Sequence, residues 1–284
     1  MSQIDVKQII ETQRQDWNRV APAWEKWDQL LERNMAFVNY RLIGDARLCF
    51  GHHVLDIGCG TGYPALLAAQ AVGSAGRVTG IDLAKEMLEV AKRKAQTLGI
   101  TNITFQTADA TTLPFEADSY DAVISRFCLM FLPDVSKAMS GIARILKRGG
   151  YLAAAVWSSA DKNPFLKIPM DALRKFIELP PSDPEQPGLF RLAKAGELLG
   201  IAKQAGLQGL ADEEISGETS FESADEYLAS LMDMAAPLQG LFNKLSPPQR
   251  DEARIEIKRT ADKYKKDDKI FLPIAVRIAV AKKP

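Results

Sequence analysis

The chain has 284 residues, with 36 Lys and Arg balanced by 36 Asp and Glu and 46% hydrophobic side chains. That length can bury a full core in one large or two small domains, and the cancelled charge supplies no basic field to hold nucleic acid. No apolar stretch approaches membrane-spanning length, the start Met1-Ser2-Gln3-Ile4-Asp5 is unlike a signal peptide, and Cys49, Cys59 and Cys128 show no paired spacing, which together imply a cytoplasmic chain without disulfides or a metal site.

From Ile9 to Leu48 the pattern is helical. Trp17, Val20, Trp24, Trp27, Leu30 and Leu31 recur on one face, and Pro22 is expected to interrupt the run and open a second helix at its first turn. Tyr40 and Arg41 lie on the following helix, within reach of the cleft described next. His52 and His53 come just before the first strand, at its amino end.

Val54-Leu55-Asp56-Ile57-Gly58-Cys59-Gly60-Thr61-Gly62 is an apolar run, a carboxylate and then a glycine at every second position, followed by a helical pattern over 64–72. This reads as a buried strand turning sharply into a helix, with no side chains to keep a ligand off the backbone. In an open α/β sheet such a turn lies at the carboxyl ends of the strands, where ligands bind, and a nucleoside-containing cofactor is the expected occupant. The G-x-G-x-x-G dinucleotide fingerprint fails because Tyr63 stands where its third glycine would be, and no Lys-Ser or Lys-Thr follows to make a phosphate loop. The D-x-G-x-G-x-G spacing instead resembles motif I of the class I S-adenosylmethionine methyltransferases. Asp56 suits that chemistry, since it would repel a pyrophosphate but attract the ammonium of a methionine moiety.

The following units repeat the plan. The strand Arg77–Asp82 ends in an acid able to accept two hydrogen bonds from ribose hydroxyls, and Leu83 to Met87 starts a helix (84–98) whose first turn lies beside the adenine. A third strand, Ile103–Ala110, ends in Ala108-Asp109-Ala110, where the acid can accept from the adenine amine. A fourth, Tyr120–Arg126, runs into Phe127-Cys128-Leu129-Met130-Phe131. After a helix over 134–147 and the Lys147–Gly150 turn comes a fifth strand, Tyr151–Trp157. This alternation is the rhythm of a doubly wound, mostly parallel sheet, and it sets Asp56, Asp82 and Asp109 along one edge of one cleft. Arg126 has two readings, a partner for the cofactor carboxylate or a salt bridge to an acid of the N-terminal helices. Cys128, without a nearby histidine, reads as a small buried hydrophobe.

The remainder is less regular. A helix is expected from Asn163-Pro164 to Leu179, then a proline-rich loop through Pro180–Pro184 and Pro187-Gly188, a helix over 195–205 ending at Gly206, and a strand near 210–221. Helices follow over 224–236, broken by Pro237, and 247–266, before a last strand over 270–281. The Lys263–Lys266 cluster, flanked by Asp262, Asp267 and Asp268, reads as a solvated helix end.

Residues 17 to 157 resemble the ubiquinone/menaquinone-biosynthesis-like (methyltransferase type 11) branch of the class I enzymes. The resemblance implies a seven-stranded Rossmann-like sheet, with residues 1–48 as an N-terminal helical lid, 49–160 as the cofactor-binding core and 161–284 as the end of the sheet with a helical substrate cap before the last strand. It implies S-adenosylmethionine as cofactor, S-adenosylhomocysteine as product and no metal. Trp24 would cover the methionine end beside Asp56, Gly58, Cys59, Gly60, Asp82, Leu83, Met87, Asp109, Ala110 and Arg126. Trp27, Phe127, Met130, Phe131 and Met232 are the acceptor-side candidates, with Met234, Leu238, Leu241 and Phe242 as possible cap lining. For these residues, and for Trp17, ordinary core packing is the competing role. The acceptor implied is a small, largely apolar molecule, methylated on oxygen or carbon of a phenol- or quinol-like ring first and on nitrogen second. Two departures matter: Phe127–Phe131 carries none of the histidines many relatives have there, and Glu32–Phe37 replaces the N-terminal pattern of the quinone enzymes. A non-catalytic cofactor-binding protein and a nicotinamide-dependent oxidoreductase stay open as other classes. The sequence gives no oligomeric state.

Overall fold

The computed structural model describes residues 6–178 and 186–284; the expected end of a helix at Leu179 and the prolines at 180–184 fall outside them. In chain order the elements are α1 (Val6–Lys26), α2 (Asp28–Asp45), β1 (His53–Ile57), α3 (Ala65–Val72), β2 (Arg77–Asp82), α4 (Lys85–Thr97), β3 (Ile103–Thr107), β4 (Tyr120–Arg126), α5 (Val135–Ile145) and β5 (Leu146–Trp157). They continue with α6 (Pro164–Leu173), α7 (Glu197–Gln204), β6 (Gln208–Phe221), α8 (Ala224–Met234), α9 (Ala236–Asn243), α10 (Pro247–Ala261), β7 (Lys265–Lys266) and β8 (Lys269–Lys282).

The strands form one sheet in the order β3-β2-β1-β4-β5-β8-β6, with the two-residue β7 on β8. β3, β2, β1, β4 and β5 run parallel, while β8 is antiparallel to both of its long neighbours. The doubly wound, seven-stranded expectation therefore holds, with β7 as an added fragment. Strand order reverses between β1 and β4, and that switch point is where such a sheet leaves a crevice at its carboxyl ends. Register keeps those ends level: Ile57 lies opposite Ile81, and Asp82 opposite Thr107.

Helix faces follow from apolar spacing. α5 buries Val135, Ala138, Met139, Ile142 and Ile145 against the sheet, and Asp134 caps it by accepting from the Lys137 N–H at 2.8 Å. A second apolar cluster joins α6, α8, α9 and α10 to the ends of β6 and β8, around fully buried Phe221, Tyr227 and Phe242. A third, smaller one seats Val20 and Ala21 of α1 on Ala84 and Met87, with Ala236 of α9 beside them.

Several expectations need correcting. α1 passes straight through Pro22 and ends at Lys26, with the turn at Trp27. Burial of Val20 and Ala21 in the third cluster holds the helix across the missing N–H. α6 stops at Leu173. Pro237 opens α9 in its first turn, where its missing N–H is harmless, so a helix stands where a break was expected. β5 begins at Leu146, because Leu146 pairs with Tyr120 across a bulge and the glycines at 149 and 150 are drawn into the strand.

Candidate functional site

The loop after β1 uses its glycines for different purposes. At Gly58, with φ +69°, a Cβ would lie 2.4 Å from both Cβ and Sγ of Cys128, so this position makes room for a neighbouring side chain. At Gly60, with φ +52°, nothing lies within 4 Å of an added Cβ, and here the main chain is open to a ligand. The expectation of a wholly bare loop is thus corrected: Cys128 occupies the Gly58 end. Cys59 turns its side chain into the core, and its N–H donates to the Ile81 carbonyl at 2.9 Å, so it offers neither group outward.

Asp82, at the end of β2, ties the loop to the next helix. Its Oδ2 accepts from Gly60 N–H at 3.0 Å and its Oδ1 from Ala84 N–H at 2.9 Å. Each carboxylate oxygen has two acceptor sites, so each keeps one for a ligand. Burial pushes its carboxyl above the ordinary value, opposed by the backbone N–H groups of Ala84, Gly60 and Leu83. Asp109, just past β3, caps the short turn Ala110–Thr112, accepting from Thr111 N–H and Thr111 Oγ1, both at 2.8 Å. Ala110 is buried beside it.

Asp56 is fully buried, and neither of its oxygens has a hydrogen-bond partner. Burial raises its carboxyl to about 7, against the pull of the Arg126 charge and of the Ala65 N–H, which faces it without closing a hydrogen bond. Arg126, at the end of β4, is lowered to about 10 by burial, with Asp56 and Asp28 acting on it through space. Its Nη1 donates to Asn39 Oδ1 of α2 at 2.7 Å. The N-terminal helices do supply a partner, as one reading of Arg126 had it, but that partner is a neutral amide. All three strand-end acids act on the Cys128 thiol, which burial raises first and Asp82, Asp56 and Asp109 raise further. A thiol held protonated in that field is no nucleophile.

α1 lies over this end of the sheet. Trp17 meets Trp24 edge-on at 5.8 Å between ring centroids and Phe131 at 5.9 Å, and Gln13 Nε2 donates to the Phe131 carbonyl at 2.8 Å. Trp24 Nε1 donates to the Met234 carbonyl at 3.2 Å, and Trp27 Nε1 to Asp233 Oδ2 at 2.9 Å, an oxygen shared with Lys26 at 2.7 Å. Trp24 and Trp27 therefore fasten the end of α1 to α8, and Trp17 and Trp24 pack on the third apolar cluster. Phe127 sits at φ +56°, a left-handed backbone uncommon for an aromatic residue, and its ring stacks on Trp157 at 4.1 Å with an interplanar angle of 6°.

Other expected site residues are placed elsewhere. Met87 packs beneath α1 in the third apolar cluster, while Leu83 stays half-buried at the strand end. Met130 is fully buried in the main core, and Met232 packs on the second cluster near Trp27. Met234, Leu238 and Phe242 are buried and Leu241 packs partly buried on that cluster, so core packing claims most of the expected cap lining. Tyr40 is exposed, and Arg41 pairs with Glu213 at 2.8 Å and Asp45 at 3.2 Å instead of turning inward. His53 stands at the opposite end of β1, where its Nδ1 accepts from Arg77 Nε at 2.9 Å. Sequence reasoning missed Asn39, Trp157 and Asp233. For Asn39 a signal existed: with Leu30, Asn34, Met35, Val38 and Leu42 it forms the buried stripe of α2, where a polar residue is out of place unless it holds something.

Comparison with known proteins adds the following. Residues 55–154 match a family described as a methyltransferase domain (Methyltransf_11). Aklanonic acid methyltransferase DauC of Streptomyces sp. strain C5 is 42% identical over 113 residues, covering 40% of this chain and 51% of that protein. Demethylmenaquinone methyltransferase of Staphylococcus aureus strain MRSA252 is 42% identical over 110 residues, 39% of this chain and 45% of that one. The chain thus spans about half the length of the curated relatives it matches. Among solved structures, the YcgJ protein of Bacillus subtilis superposes with a TM-score of 0.56 at 24% identity, over 88% of this chain and 99% of that one. The [4+2]-cyclase SpnF does so with a TM-score of 0.57 at 21% identity, over 94% and 96%. These likenesses establish the fold, and the presence of a [4+2]-cyclase among them shows that the fold alone does not fix the reaction.

Proposed function

With residues 55–154 a methyltransferase domain of the type 11 family, we propose that this chain binds S-adenosylmethionine at the carboxyl ends of β1 to β4 and methylates a small, largely apolar acceptor. The observation that carries the reading is the buried pair of Asp56, whose carboxylate has no partner, and Arg126, held by a neutral amide. An amino-acid tail is a zwitterion and would bring each a direct charged partner, an ammonium for Asp56 and a carboxylate for Arg126. A dinucleotide pyrophosphate would meet Asp56 and Asp82 with like charge, which argues against the nicotinamide alternative. Asp82 and Asp109 keep acceptor capacity for ribose hydroxyls and an adenine amine, and the backbone is open at Gly60.

When bound, the cofactor supplies an electrophilic methyl on a sulfonium, whose departure as a thioether needs no protonation. The protein's work is then to hold the acceptor atom about 3 Å from that methyl, aligned and dry. Phe127 and Phe165, both partly buried and packed on the buried Trp157 ring, offer apolar surface for an aromatic acceptor. Both histidines are at the far end of β1, so the reading favours an acceptor that loses its proton readily, such as a phenol or quinol, over one needing an imidazole base. The lid role of α1 and the cap role of α8–α10 belong to the same proposal.

Calorimetric titration of the purified chain with S-adenosylmethionine and S-adenosylhomocysteine tests the binding. Mass spectrometry of phenol, quinol and amine acceptors for one added methyl tests the transfer. Binding without transfer to any acceptor favours a non-catalytic cofactor-binding protein, and failure of both ligands to bind ends the reading.

A further inference from the structure

Among the described residues, the buried side-chain polar atoms that lack a hydrogen-bond partner are three: both oxygens of Asp56 and Nδ2 of Asn39. They belong to the two residues that address Arg126, one through space and one by direct contact. Two other buried asparagines show what a satisfied one looks like here. Asn34, one turn earlier on α2, gives Nδ2 to the Ser220 carbonyl and takes Ser220 N–H on Oδ1. Asn163 gives Nδ2 to the carbonyls of Ser158, Ser159 and Ala275 and accepts from Ala275 N–H. The orientation of the Asn39 amide is set by chemistry, because a guanidinium only donates and so the oxygen must face Arg126.

We infer that Asn39 is a recognition and positioning residue for the carboxylate of the cofactor's amino-acid tail: its Oδ1 holds Arg126 in place, and its Nδ2 is a donor kept for that carboxylate. The inference rests on the proposed cofactor and deepens it. An aspartate here would hold the guanidinium equally well and cancel its charge. The amide leaves that charge available to a ligand. An idle buried N–H₂ carries a desolvation penalty, and a carboxylate arriving beside Arg126 removes it.

The test is binding by the full chain of two ligands that share the adenosine and its sulfur. S-adenosylhomocysteine carries the amino-acid tail; 5′-methylthioadenosine does not. In N39D, S-adenosylhomocysteine should weaken by roughly tenfold or more, the scale of one lost charge-assisted hydrogen bond, while 5′-methylthioadenosine stays unchanged. N39A, which removes donor and acceptor without adding charge, should show the same one-sided loss, and it carries the test if N39D does not fold. Equal weakening of both ligands in either variant assigns Asn39 a scaffold role and overturns the inference, as does unchanged S-adenosylhomocysteine binding. If the unsubstituted chain binds neither ligand, the cofactor reading itself has failed, an outcome distinguishable because it needs no variant.

Discussion

The buried carboxyl of Asp56 makes the ligand-free chain's stability depend on pH in a direction opposite to that of a salt-bridged acid. Its ordinary value of 3.8 rises to about 7 in the fold, so the folded chain holds that proton more tightly than the unfolded one. The contribution is favourable at low pH and is lost as pH climbs from about 4 to about 7. Above 7 the ionised group costs the fold about 4 kcal/mol, at 1.36 kcal/mol per pKa unit. D56N keeps the shape and removes the titration. The variant should therefore gain on the unsubstituted chain by about 2–3 kcal/mol between pH 5 and pH 8, the lower bound allowing for relaxation around the charge. For a chain of this size that is a relative rise in Tm of roughly 4–10 °C. Thermal melts of both proteins across that range, without ligand, read it directly. Saturating S-adenosylhomocysteine should reverse the ranking, because the ligand's ammonium stabilises an ionised Asp56 and finds no charge in D56N. A difference in Tm that does not change with pH, or a D56N chain that loses ground as pH rises, would refute the reasoning.

Three other outcomes follow from named contacts. D82A removes the acceptor that joins Gly60 to Ala84 and, on the proposed reading, the ribose partner; S-adenosylhomocysteine binding by calorimetry should fall roughly ten- to a hundredfold. G58A places a Cβ against Cys128 in a left-handed backbone and should cost at least about 2 kcal/mol in denaturant unfolding, whereas C128S, with a smaller atom at the same place, should cost less. A maleimide should label exposed Cys49 rapidly in the native chain, buried Cys59 only in denaturant, and half-buried Cys128 slowly, since desolvation and the neighbouring acids hold its thiol protonated. Rapid native labelling of Cys128 would contradict the environment drawn for it.

Much of the core was legible because its signals are local. β1, β2 and β3 are short runs with an acid at or near their ends, and α5 displays its sheet-facing side at the i, i+3, i+4, i+7 spacing. Errors came where packing overrode a local rule. Pro22 is tolerated because Val20 and Ala21, just before it, are buried, and the sequence does not announce that Ala84 and Met87 of α4's start and Ala236 of α9 converge there. Pro237 follows the rule for a first helical turn and was misread only because a helix had just ended. The strand β5 begins five residues earlier than expected, where Leu146 pairs with Tyr120 of β4, which no reading of residues 146–150 by themselves contains.

The candidate site divides along the same line. Asp56, Asp82 and Asp109 are legible as strand-end acids because a carboxylate at the end of a strand is visible in the sequence, and strand order places all three at the carboxyl ends of adjacent strands. What the sequence does not display is which of them is satisfied: Asp82 and Asp109 are taken up by backbone N–H groups within two residues or on the adjacent loop, while Asp56 is left with none. Asn39 lies 87 residues from Arg126, and their contact exists only because α2 packs across β4 and β5. The helix that precedes the motif thus touches the buried arginine directly with an amide, while its Asp28 acts on that arginine only through space. A chain with the same glycine loop and an aspartate at that turn of α2 would keep the fold yet present a neutralised pocket, and so the glycine signature by itself is too weak a warrant for recognition of a zwitterionic tail.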